Sequence, residues 1–117
     1  GVAEAQFLLG EMYKHGRGGI LKNESLAEGW YRQAAQRGHV QAQYTLARHY
    51  RDTRRSDEAL DWYVRAAENG HAEAQYQAGF TYMKQNEEAK AIQWWRKAAA
   101  QGHNKAQKAL ERIDSRQ

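Results

Sequence analysis

Cysteine is absent from the 117 residues, and with it go disulfides, thiolate nucleophiles and cysteine-ligated zinc; the redox compartment is left open. Proline is absent too, so nothing forbids long helices on that ground. Residues that favour strands are few, whereas alanine and glutamine abound, a mix that suits helices. No apolar run approaches the ~20 residues needed to cross a bilayer, and no basic segment leads into an apolar one as in a signal peptide. The chain opens on Gly1 rather than Met, which reads as processing or excision with any address lost upstream. The net charge of +4 tolerates an acidic partner but is no dense Lys/Arg stripe, so nucleic acid is not expected as a partner. Hydrophobic residues still make up 41%, enough for one domain or a short run of modules sharing a core.

What is present is repetition. Ala3-Glu4-Ala5-Gln6-Phe7 returns as Val40-Gln41-Ala42-Gln43-Tyr44 and Ala72-Glu73-Ala74-Gln75-Tyr76, then fades into Asn104-Lys105-Ala106-Gln107-Lys108. A second block, Trp30-Tyr31-x-x-Ala34-Ala35-x-x-Gly38-His39, returns at Trp62 to His71 and at Trp94 to His103, with its tryptophans 32 residues apart. Each unit reads as two helices, A and B. Helix A places Ala42, Leu46, Ala47 and Tyr50 on one face, and Ala74, Ala78, Gly79 and Tyr82 repeat that pattern. Helix B does the same with Ala59, Tyr63, Ala66 and Ala67, then Ala91, Trp95, Ala98 and Ala99. Small residues at Gly10, Ala47 and Gly79 let helix axes approach, and aromatics fill the space between pairs. The glycine of each Gly-His pair is expected in the left-handed position that ends helix B, while Asn23 and Ser56 stand where helix B should be capped.

These blocks resemble two related families. Ala47-x-x-Tyr50, Ala59 and Tyr63 match the spacing of the tetratricopeptide repeat, as do Gly79-x-x-Tyr82, Ala91 and Trp95. The run Trp-Tyr-x-x-Ala-Ala-x-x-Gly-His-x-x-Ala-Gln is more similar to the Sel1-like repeat. The first unit adds that family's glycine-rich loop, Tyr13 to Ile20, which lengthens it by five residues; the second and third units lack it. The resemblance implies an all-α, right-handed solenoid of helix pairs: one repeat domain over 1–117, with units at about 3–39, 40–71 and 72–103. Residues 104–114 are expected to form a capping helix. There Lys108, Glu111 and Asp114 replace the aromatic and small residues of the earlier units, while Ala109, Leu110 and Ile113 stay apolar. No such cap precedes the first unit. Glu28 sits where Leu60 and Ile92 are apolar and Gly29 follows it, so this unit is expected to be the loosest, with weak self-association through it as the alternative to a monomer.

No catalytic constellation stands out. Ser25, Ser56 and Ser115 are separated, and carboxylates do not converge from different elements. Gly16-Arg17-Gly18-Gly19 lacks both the preceding strand and the Gly-Lys-Ser/Thr of a phosphate loop. His39, His71 and His103 lie one repeat apart, too far for a metal that needs ligands at ~2 Å, and read as turn residues. The run Arg48 to Arg55 reads as a wet corner. No cofactor, metal or catalytic residue is therefore expected.

One pattern does point to binding. In solenoids of this kind helices A line the concave surface. The stripe opposite the core is Tyr44, Arg48 and Arg51 in the second unit, then Tyr76 (or Gln77), Phe80 and Met83 in the third, with Lys108 and Arg112 beyond. Arginines beside a Phe and a Met suit a peptide with a carboxylate near an apolar side chain. The resemblance implies a non-catalytic bacterial scaffold or adaptor for a protein or peptide partner, in the cytoplasm or the periplasm and envelope. Two alternatives are weaker. A cell-wall enzyme or enzyme modulator belongs to the family's disulfide-rich branch, whose cysteines are missing. An RNA-reading repeat array would repeat its groove residues, but Glu11, Arg48 and Phe80 differ from unit to unit.

Overall fold

A computed structural model describes residues 1–116. Among them are seven α-helices and no strand: α1 (Val2–His15), α2 (Glu24–Gln36), α3 (Val40–Asp52), α4 (Ser56–Glu68), α5 (Ala72–Lys84), α6 (Glu88–Ala100) and α7 (Asn104–Ser115). Consecutive helices pack in pairs, α1 on α2 on α3 and α5 on α6 on α7. The all-α repeat class expected from the sequence is what the chain adopts. It divides into two compact units, residues 1–62 and 63–117, with the division inside α4.

The repeated block Ala-Ala-x-x-Gly-His-x-x-Ala-Gln is a junction that ends one helix and starts the next. Gly38, Gly70 and Gly102 have φ of 92°, 91° and 86°, the left-handed region that glycine enters without a Cβ clash. There the glycine N–H bonds to the second alanine's carbonyl (Gly38 to Ala35, 3.0 Å) and the histidine N–H to the first (His39 to Ala34, 3.1 Å). This crossed pair satisfies carbonyls that the helix end would otherwise orphan. The histidine ring then turns to the next helix and accepts its third N–H: Nδ1 of His39 from Ala42 (3.0 Å), of His71 from Ala74 (3.1 Å), of His103 from Ala106 (3.2 Å). The histidines are thus N-caps of α3, α5 and α7, a more particular role than a turn residue. The glutamine locks the junction from the far side. Gln43 donates to the Ala35 carbonyl and Gln75 to that of Ala67, both at 3.1 Å, and Gln107 reaches Ala99 at 3.4 Å.

At the other turns the expectations hold in part. Asn23 caps α2, accepting the Leu26 N–H at 3.0 Å. Ser56 is the first residue inside α4 rather than its cap. Helices α3 and α5 end with the same crossed carbonyl pattern, but the left-handed residues are Arg54 and Asn86, both at φ 63°. The first unit's glycine loop spares it that strain.

The core is small residues against aromatics. Ala34, Ala42, Ala47, Ala66, Ala74, Ala78, Ala91, Ala98 and Ala106 are fully buried, as are Tyr31, Tyr50, Tyr63 and Leu46. Gly10 sits under the Tyr31 ring, where an added Cβ would fall 2.7 Å from Cδ1. Gly79 sits under Trp95 in the same way, at 2.5 Å from Nε1. Trp95 donates that N–H to the Tyr76 carbonyl at 3.1 Å. In α7, Ala106 and Ile113 are buried against α6, whereas Lys108, Glu111 and Asp114 are exposed.

Candidate functional site

The stripe expected from the sequence falls in both units. In residues 63–117, α5 carries Tyr76, Phe80 and Met83 on one side. These line a groove of about 300 Å³ with Trp95, Ala109, Ile113, Arg112 and Arg116. Its floor is aromatic. Tyr76 stacks against Trp95 at 6.4 Å between ring centroids and against His103 at 4.9 Å, and lies 6.4 Å from Phe80. Met83 packs against the buried cluster that includes Trp95 and Ile113, while Phe80 stays 42% exposed although its helix has a buried face available. Cations stand around this apolar floor. Lys84 Nζ lies 4.6 Å from the Phe80 ring centre, Arg116 pairs with Glu88, and Arg112, which makes no ion pair among the described residues, also borders Glu111. Arg112 belongs here because it repeats Phe80's position on the next helix A.

In residues 1–62 the arrangement is different. The Arg48 guanidinium lies 5.7 Å from the Tyr44 ring centre, and Arg48 lines a cavity of about 220 Å³ with Phe7, Glu11, Lys14, His15, Tyr31 and Asp52 among its walls. Arg51 is not brought to this cavity; it pairs at 3.4 Å with its neighbour Asp52 on the exposed surface. The cavity is polar and mixed in sign. Tyr31 donates its hydroxyl to Glu11 at 2.6 Å, and burial followed by this acceptor pushes its pKa well above the ordinary phenol value. His15 lies 3.5 Å from the same carboxylate.

Two readings of this unit need correction. Glu28 is not a weak point, because its 15% exposed side chain is the shared partner of two arginines and a histidine. His49 Nε2 lies 2.8 Å from Oε1, Arg55 donates to the same oxygen at 2.8 Å, and Arg32 binds Oε2 while also donating to the Tyr50 hydroxyl at 2.6 Å. Burial alone would raise the Glu28 pKa, but hydrogen bonds and charge from Arg55 and His49 outweigh it and hold the carboxyl below its ordinary value. Nor is the run Arg48 to Arg55 only a wet corner. It supplies His49, 7% exposed, and Arg55, whose guanidinium also lies 4.7 Å from the Tyr50 ring centre.

Comparison with known proteins adds a family. The Sel1 repeat model matches residues 3–39, 40–71 and 72–103. No curated protein matches the chain. Among solved structures, a Sel1 repeat protein from Oxalobacter formigenes is similar, with 35% identity, a TM-score of 0.82, and coverage of 89% of this chain and 46% of that one. So is c5321, a protective antigen of uropathogenic Escherichia coli with an SLR fold: 36% identity, TM-score 0.78, 90% of this chain and 24% of that one. The chain thus spans less than half the length of either. The N-terminal domain of stress-induced protein-1 from C. elegans shares the fold at 22% identity and TM-score 0.70, covering 96% of this chain and 94% of that one.

Proposed function

The chain belongs to the Sel1 repeat family, and from that premise we propose that it is a non-catalytic scaffold holding a partner protein by a peptide segment that carries an apolar side chain beside a carboxylate. Repeats of this family and of the related tetratricopeptide type typically serve as protein-interaction scaffolds. The observation that carries the finer reading is the groove between α5 and α7. An aromatic ring left 42% exposed over an aromatic and Met floor offers an apolar anchor site. Arg112, which makes no ion pair among the described residues, offers the bidentate partner for a carboxylate.

Selection of a displayed peptide library on the intact chain tests this. Peptides with Asp or Glu next to an aromatic or aliphatic residue are expected to be enriched. Phe80→Ala should weaken their binding at all salt concentrations, because its share is apolar burial. Arg112→Ala should weaken it and flatten its salt dependence. Binding that survives both changes but is lost on substituting exposed Gln93 of α6 would contradict the reading.

A further inference from the structure

The junction histidines accept where imidazoles more often donate. In α3, α5 and α7 the first-turn N–H of Ala42, Ala74 or Ala106 points at the Nδ1 of His39, His71 or His103. An Nδ1 that accepts cannot carry a proton, so each ring must be neutral, with its hydrogen on Nε2. A protonated ring would turn a second N–H toward the helix N–H and set a positive charge at the positive end of the helix dipole. We propose that His39, His71 and His103 are pH-sensitive caps, which hold the first turns of α3, α5 and α7 when neutral and release them when protonated.

The surroundings set up a competition. His39 Nε2 lies 2.6 Å from Glu4 of α1, and its ring stacks on Phe7 at 4.9 Å. His103 Nε2 lies 3.2 Å from Glu73 of α5, and its ring stacks on Tyr76 at 4.9 Å. For His71 the nearby carboxylate is also Glu73, on the helix it caps. These carboxylates favour the cation, and the acceptor role and the helix end disfavour it. From the preceding helices the histidines receive the carbonyls of Ala34, Ala66 and Ala98 on their backbone N–H groups. The backbone half of each junction is therefore indifferent to ring charge, and only the cap half titrates. Burial lowers the His71 pKa against the opposing pull of Glu73, in agreement with a ring kept neutral. Between that lowered value and the ~6.5 of a free ring, the open state binds more protons than the folded one. For His71 the cap's contribution is then complete above about pH 6.5 and is lost as pH falls below it. Glu28 does not share this window, since its carboxyl titrates below the ordinary glutamate range.

Asn23 is an internal control, because it caps α2 through an amide oxygen that cannot titrate. The test is nuclear magnetic resonance on the intact chain: ring nitrogen shifts give the tautomer, and hydrogen exchange gives the protection of the capped amides. At about pH 8 all three rings should carry the proton on Nε2 alone. Between about pH 8 and pH 5.5, protection of Ala42, Ala74 and Ala106 should fall roughly fivefold more than that of Leu26. In a triple variant, His39→Asn, His71→Asn and His103→Asn, that fall should vanish, since asparagine caps without titrating. Should the triple variant not fold, His103→Asn read at Ala106 makes the same comparison. A proton on Nδ1 at the higher pH, or an equal fall in the asparagine variants, overturns the proposal.

Discussion

The two units solve one packing problem with opposite chemistry. In both, a glycine of helix A lies under a large ring of helix B: Gly10 under Tyr31, Gly79 under Trp95. In residues 1–62 that ring ends in a hydroxyl held by Glu11, and one turn before Tyr31 stands Glu28 with its cations. In residues 63–117 the ring ends in an indole N–H satisfied by a backbone carbonyl, and the position of Glu28 is filled by Ile92, which packs into an apolar cluster. The same substitution runs along the groove face, where Glu11 is replaced by Phe80. One repeat template therefore tolerates a polar or an apolar filling, and here the Tyr31 hydroxyl, the Glu28 carboxylate and the Trp95 N–H each find a partner. The apolar filling leaves a surface suited to a side chain of another protein.

Glycine substitution gives the largest break in this comparison. A Cβ at residue 79 meets Trp95 at 2.5 Å and the Ala91 carbonyl at 3.0 Å, whereas at residue 10 its three nearest atoms all belong to the Tyr31 ring, from 2.7 Å. Overpacking costs ~1–3 kcal/mol, and the gain in helix propensity returns up to ~1. Gly79→Ala should thus lower stability by about 2 kcal/mol and Gly10→Ala by about 1, read by urea unfolding. Equal losses would mean that the backbone contact at Ala91 has no weight.

The polar filling is tested next. Glu28→Gln keeps the shape and removes the charge, so His49, Arg32 and Arg55 lose their common anion; the expected cost is about 1–1.5 kcal/mol at neutral pH. Because the folded Glu28 pKa is depressed, its contribution is present above the unfolded value of about 4.5 and is lost as pH falls through the folded value. Melting temperatures of the parent and Glu28→Gln should therefore converge in acid. Parallel curves down to about pH 2 would remove Glu28 from the account.

The smallest effect concerns the turns. Arg54 holds a left-handed conformation that costs a side chain with a Cβ, so Arg54→Gly should stabilise by about 0.5–1 kcal/mol. Asn86→Gly, at the same φ, should gain only a few tenths, because asparagine visits this region readily. A thermal melt of each variant decides whether the two differ.

The helix pairs were legible from the repeated blocks because each of their residues acts locally. Glycine takes its left-handed φ, alanine fits a close contact, and the aromatic fills a neighbouring gap. The histidine caps were only half legible. A histidine at this position announces a turn, but serine, threonine and asparagine dominate caps, so the ring's acceptor role had no familiar signature. The Glu28 hub could not be read by periodicity, since its partners come from 21 and 27 residues away. A signal did exist: one repeat on, where Leu60 stands in place of Glu28, Thr81 and Glu87 stand in place of His49 and Arg55, so the acid and its bases are lost together. Of the stripe, Tyr76, Phe80 and Met83 could be grouped from the sequence because they share one helix face. Arg116 and Trp95 were missed as groove residues, the first because it lies at the far end of α7 and the second because its side chain was assigned to the core.

The most direct measurement is chemical-shift mapping of a library-selected acidic-apolar peptide on the isotopically labelled chain. The account predicts that amides of residues 76–84 and 109–116 shift on titration, with Phe80 and Arg112 among the largest, and that those on the exposed side of α6 around Gln93 do not. Shifts concentrated on α6, with the groove residues unmoved, would contradict it.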